Sequence, residues 1–160
     1  MLDWLAHTPY AMWVDESWGW PIALTIHAFG NGTVVGLMAI IGLRLFGLFR
    51  SIPYTALLKL IPLIWIAIAF QVVSGVTLWM TKPAQYLADG MFELKFALVI
   101  LASIAMWVFQ KTLKREAAAW DTAGIVSSRG LKLVSVSCLL WAGVLIGGRL
   151  TAYLGSLYAG

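Results

Sequence analysis

His27 and Asn31 stand one helical turn apart inside WPIALTIHAFGNGTVVGLMAI (20–40), a stretch with no Asp, Glu, Lys or Arg. In hydrocarbon an ionisable side chain is costly, and it is by default a functional-site candidate whose partner has to be found. A neutral imidazole can ligate a metal through one ring nitrogen while the other is fixed by a hydrogen bond. His27 is therefore the candidate metal ligand and Asn31 its neighbour on the same helix face. Two further cations fall within apolar runs, Lys95 in MFELKFALVI (91–100) and Arg149 in GGRLTAY (147–153).

The elements that must position these residues follow from composition. With 61% hydrophobic residues, 11% charged residues and a mean hydropathy of +0.88, the chain lies outside the range of soluble globular proteins. The expected class is all-α: an integral membrane four-helix bundle in a single domain, with an N-terminal interfacial segment at 1–20. Its spans are read at about 22–43, 61–81, 92–110 and 133–157, each near the roughly 20 residues a bilayer core requires. The last two reach that length only by taking in charge, Glu93 and Lys95 on one and Arg149 on the other. Cys138 is the single cysteine, so no internal disulfide can form, and in an apolar run it reads as a small hydrophobe.

Eight of the eleven basic residues lie between spans one and two (Arg44, Arg50, Lys59) or between spans three and four (Lys111, Lys114, Arg115, Arg129, Lys132). By the positive-inside rule these loops are cytoplasmic. The N-terminal segment, with Asp3, Asp15 and Glu16, and the turn KPAQYLADG are then outside. The expected location is the bacterial inner membrane with both termini periplasmic. The same bias accounts for the basic pI, so nucleic acid is not an expected partner. Trp4, Trp13, Trp18 and Trp20 give the first twenty residues the character of a chain at headgroup level. Such a segment either anchors the protein or forms a lid that brings His7 near the pocket.

On this topology His27 and Lys95 fall near the outer ends of spans one and three, and Arg149 lies about 12 Å along its axis from position 157. Three basic groups arriving at one level from three helices point to a shared anionic or metal-containing guest. Each residue also has a plainer reading. Lys95 can snorkel to the headgroups, and His27 can be a neutral imidazole bonded to Asn31 or to a carbonyl. Arg149 needs an anion or a water-filled cavity, because charge within a span costs roughly 2.5–3.5 kcal/mol even on the lenient insertion scale. Gly32 with Gly36 and Gly143 with Gly147 are small-xxx-small pairs expected at helix contacts. Gln71, Ser74 and Thr77 in span two need partners inside the bundle.

WLAHTP (4–9), SWGWPIALTIHAFG (17–30), VVGLMAIIGLRLFGL (34–48), the SG of VVSGV (72–76), MFELKFALVI and GGRLTAY together resemble an uncharacterised family of small bacterial four-helix membrane proteins. A helix-one His followed by small residues and a Lys opening helix three are distantly similar to the copper-resistance D membrane domain and to HemJ-type protoporphyrinogen oxidases. The latter resemblance implies a four-helix bundle holding haem b through a His and a Lys, which correspond to His27 and Lys95. The chain departs from that pattern in having SG where those proteins have TG, and no further histidine within a span.

Four functional classes follow. In a haem b protein engaged in electron transfer, His27 is an axial ligand, Lys95 or His7 the sixth ligand, and Arg149 the partner of a propionate. A cofactor-free accessory subunit would instead pack against other membrane subunits or a homo-oligomer. A quinone site would use His27 and Arg149 on the ring carbonyls. A copper-handling protein would use His27 or His7 with Met12, Met80 and Met91. A periplasmic redox partner fits the first class, and any catalysis would be that of an oxidoreductase. With Glu93 the only acid inside a span and no Ser/His/Asp arrangement, hydrolysis is not the expected chemistry.

Overall fold

The structure, a computed structural model, describes residues 2–88 and 90–157, with side chains as far as Leu150. Asp89, counted above in the outer turn, and the side chains of 151–157 lie outside the described residues. Among the described residues there are six α-helices and no strand. These are α1 (Pro9–Glu16), α2 (Gly19–Leu45), α3 (Ile61–Thr81), α4 (Pro83–Leu87), α5 (Gly90–Ala123) and α6 (Ser128–Leu157), with 3-10 segments at Asp3–Leu5 and Tyr54–Leu60. Four of them, α2, α3, α5 and α6, are long and apolar enough to cross a membrane. The protein is an all-α, multi-pass membrane bundle.

Helix α2 lies at the centre of the bundle, packed against α3 on one side and α6 on the other, while α5 packs on α6. Its inward stripe, Ala23, Gly30, Val34, Met38, Ile41 and Leu45, repeats at three- and four-residue spacing, as a helix held between neighbours requires. That stripe decides which glycines matter. Gly32 and Gly36 lie off it, and a Cβ at either would meet nothing within 4 Å. The close backbone approach is made instead by Gly30, where a Cβ would stand 3.0 Å from the Ala67 carbonyl oxygen of α3.

The segment 1–20, expected at headgroup level, folds into the 3-10 turn Asp3–Leu5 and α1, and α2 begins at Gly19. Thr8 caps α1 by accepting from the Ala11 amide at 3.3 Å, with Pro9 preset at the first helical position. Ala11 and Val14 are buried against α2 and α3, and Tyr10 Oη reaches Thr77 Oγ1 at 3.2 Å. A Cβ at Gly19 would stand 2.6 Å from the Val14 Cα, so only glycine admits this turn. Lys82, at the start of α4, bridges to Asp15 at 3.4 Å and closes the same end.

At the opposite, basic end α5 runs past the apolar stretch that ends near Gln110, since KTLKREAAA is made of good helix formers. At about 51 Å it exceeds the roughly 30 Å of a bilayer core. The excess carries Trp120 and Asp121 to the 3-10 segment that leads into α3. Asp121 accepts from the Tyr54 and Thr55 amides at 2.5 and 3.0 Å and from Thr55 Oγ1 at 2.8 Å. Tyr54 stands edge-on to Trp120, with ring centroids 5.9 Å apart. Deeper in the bundle, Trp65 Nε1 donates to Gln110 Oε1 at 2.6 Å and joins α3 to α5.

Candidate functional site

The partner of His27 is α3. His27 Nδ1 lies 3.0 Å from the Gln71 carbonyl oxygen and 3.2 Å from Ser74 Oγ. A carbonyl only accepts, so Nδ1 carries the hydrogen and donates it. The Ser74 hydroxyl donates to the Phe70 carbonyl at 2.6 Å, which leaves its oxygen free to accept from the same imidazole hydrogen. In the neutral ring this tautomer leaves the Nε2 lone pair available, and Nε2 has no hydrogen-bond partner among the described residues. Gly75 makes room for the ring: a Cβ there would stand 3.1 Å from His27 Cε1.

Two buried polar side chains, Asn31 and Gln71, lie close to this contact, and two more lie further along the bundle on α6, near the level where Cys138 meets Met38 and Gly42. Asn31 does not bond His27, and its Oδ1 is buried without a partner among the described residues. The same holds for both side-chain polar atoms of Gln71, for Ser137 Oγ and for Trp141 Nε1. Gln71 is 3% exposed, and Ser137 and Trp141 are fully buried. Nearly all buried polar atoms in folded proteins have partners, and each one left unpaired costs about 1–3 kcal/mol. At the level of His27 the unpaired groups are those of Asn31 and Gln71; Ser137 and Trp141 belong to a separate level nearer the basic end.

Lys95 turns inward from α5. Its Nζ would lie 3.3 Å from a Cβ at Gly148 on α6, and its charge is near enough to act on the His27 imidazole. It makes no ion pair or hydrogen bond with the described residues. His27 and Lys95 are thus brought together, with Asn31 one turn from His27 along α2. Arg149 and His7 are not. Arg149 is exposed on α6, one residue beyond the glycine that meets Lys95. His7 is exposed too, with Nδ1 donating to the Asp3 carbonyl of its own turn at 2.8 Å. Among the known proteins compared, no family model, curated protein or solved structure matches the chain. The site therefore has to be read from its own chemistry.

Among the described residues no three His, Cys, Asp or Glu side chains converge as a metal cluster. What the arrangement provides is one oriented imidazole nitrogen, one ammonium and the unpaired side-chain amide atoms of Asn31 and Gln71. Ser137 and Trp141 escaped the sequence reading because, in an apolar run, they count as ordinary span residues. Their four-residue spacing on one helix face is the signal that could have found them.

Proposed function

We propose that this membrane bundle is a haem b protein of the electron-transfer class, with His27 Nε2 as an axial ligand. The observation that carries the reading is the Nδ1 hydrogen bond from His27 to the Gln71 carbonyl. Ligating histidines characteristically donate their other ring nitrogen to a carbonyl or carboxylate, which fixes both tautomer and orientation. Haem would supply one-electron chemistry, its potential tuned by axial ligation and burial. The chain's own contribution is to hold the imidazole against Gly75 and to set the Lys95 ammonium beside it, where it favours an electron-rich guest.

A second reading is favoured by the unpaired Gln71 Nε2: a quinone whose carbonyl oxygens accept from this group and from Lys95. Protein purified from its native membrane separates the two. A Soret band with reduced α and β bands, lost in His27→Ala, supports haem. A colourless preparation that yields stoichiometric quinone on solvent extraction supports the second reading. A preparation with neither moves the protein to a cofactor-free accessory subunit.

A further inference from the structure

At the basic end of the bundle, away from His27, a cleft of about 790 Å³ opens among Arg44, Gly47, Arg50, Ser51, Tyr54 and Asp121. Arg44 is the unusual member. It is only 6% exposed, stacks over the Tyr54 ring with its guanidinium carbon 3.8 Å from the centroid, and donates through Nε to the Ile52 carbonyl at 2.5 Å. Two contacts thus fix the plane of the guanidinium, while its Nη groups make no hydrogen bond with the described residues.

The carboxylate facing the same cleft does not pair with Arg44 directly. Both Asp121 oxygens are taken by Tyr54 and Thr55, although the charge attracts Arg44 at a distance. On the other wall Arg50 donates through Nε to the Gly47 carbonyl at 3.2 Å, which holds a second cation at the rim. Two guanidiniums against one already hydrogen-bonded carboxylate leave the cleft positive. A preset guanidinium plane with free Nη donors matches the oxygen geometry of a phosphate, and a buried charge of this kind is stable only when it is answered.

We propose that this cleft binds a phosphate group, held by Arg44 at its base and Arg50 at its rim. The volume lies within the range of small-molecule sites. The cleft sits where the apolar spans give way to charged residues, the level at which lipid phosphates lie, and a soluble phosphate compound would present the same chemistry. The inference is independent of what His27 binds.

The test uses the full chain in an uncharged detergent, titrated calorimetrically with dihexanoyl phosphatidylglycerol, with inorganic phosphate and with phosphate-free dihexanoylglycerol. Saturable binding of the phosphatidylglycerol but not of the other two supports the proposal with a lipid as the source. Saturation by inorganic phosphate as well supports it with a soluble source. Arg50→Gln, at an exposed position, should weaken binding about tenfold, as loss of a charge-assisted contact does. Arg44→Gln should weaken it further, and if that variant does not fold, Arg50→Gln decides. The proposal is overturned if neither phosphate probe saturates, if the phosphate-free probe binds equally well, or if folded Arg50→Gln binds like the parent.

Discussion

His27 of α2 and Gln71 of α3, 44 residues apart in the chain, meet through a 3.0 Å hydrogen bond from the imidazole Nδ1 to the Gln71 backbone carbonyl. Because the acceptor is main chain, no substitution at position 71 removes it, and the ring orientation depends on the local helix path and on Gly75. Replacing His27 by Ala loses the interhelical bond that Nδ1 shares between Gln71 and Ser74, and a single such bond is worth roughly 0.6 kcal/mol on average inside membrane bundles. The isolated His27→Ala protein should therefore stay folded, with a modest fall in thermal midpoint, and on the proposed haem reading it should hold no cofactor. A variant that keeps its cofactor spectrum unchanged would remove His27 from the site.

Gly75→Ala tests orientation rather than ligation. The added methyl would come within 3.1 Å of His27 Cε1, so the ring must move by a few tenths of an ångström. A shifted or split spectrum at near-normal cofactor content is the expected result. An unaltered spectrum would show that the ring does not face Gly75 in the loaded protein.

How much of this could be read from the sequence differs by level. The four spans were legible because the apolar runs are long, and the inward turn of His27 was legible from its cost in hydrocarbon. Which face a residue takes was not. Successive helix positions are about 100° apart, so Gly148 meets Lys95 while Arg149, one residue later, is exposed. The Gly32–Gly36 pair misled for the same reason, since both lie off the stripe that Gly30 shares with Val34 and Met38. Arg44 entered only as a loop charge. Its burial depends on Tyr54 and on an acceptor at Ile52, both brought to it by a chain reversal that hydropathy does not encode.

Orientation is tested by reporter fusions. Fusions after Arg50 and after Arg115 should report cytoplasm and one after Ala88 the outside, as the distribution of basic residues requires. The opposite pattern would place the His27 band in the cytoplasmic half and the Arg44 cleft outside.

Asp121 sets a pH dependence at the basic end. Burial at the cap alone would raise its carboxyl, but the hydrogen bonds from Thr55 and Tyr54 and the Arg44 charge outweigh it, so the folded carboxyl lies below its ordinary value. A depressed carboxylate contributes stability that is complete above its unfolded value, near 3.9, and is lost as pH falls through the folded value. Thermal midpoints measured from pH 6 downward should therefore fall below about pH 4, and Asp121→Asn should be less stable at pH 6 with a flatter acid limb. An equally steep limb in the variant would assign the acid sensitivity to other carboxylates.

Lys95 and Arg149 separate a site residue from one that merely tolerates its place. The Lys95 ammonium lies inside the bundle against Gly148, without an ion pair or hydrogen bond among the described residues, whereas Arg149 is exposed. A half-buried cation without an answering group costs stability, so the near-isosteric Lys95→Met should make the cofactor-free chain more stable, by on the order of 1 kcal/mol. If the ammonium instead meets an electron-rich guest, the same change should lower cofactor content or shift its potential, so that stability and occupancy move in opposite directions. Arg149→Leu should change neither by much, since its head group already lies outside the bundle interior. Thermal midpoints of the cofactor-free and loaded proteins, with cofactor content measured in parallel, give both quantities for each variant. Loss of cofactor in Arg149→Leu with full retention in Lys95→Met would transfer the charge-pairing role to Arg149 and overturn the site as described.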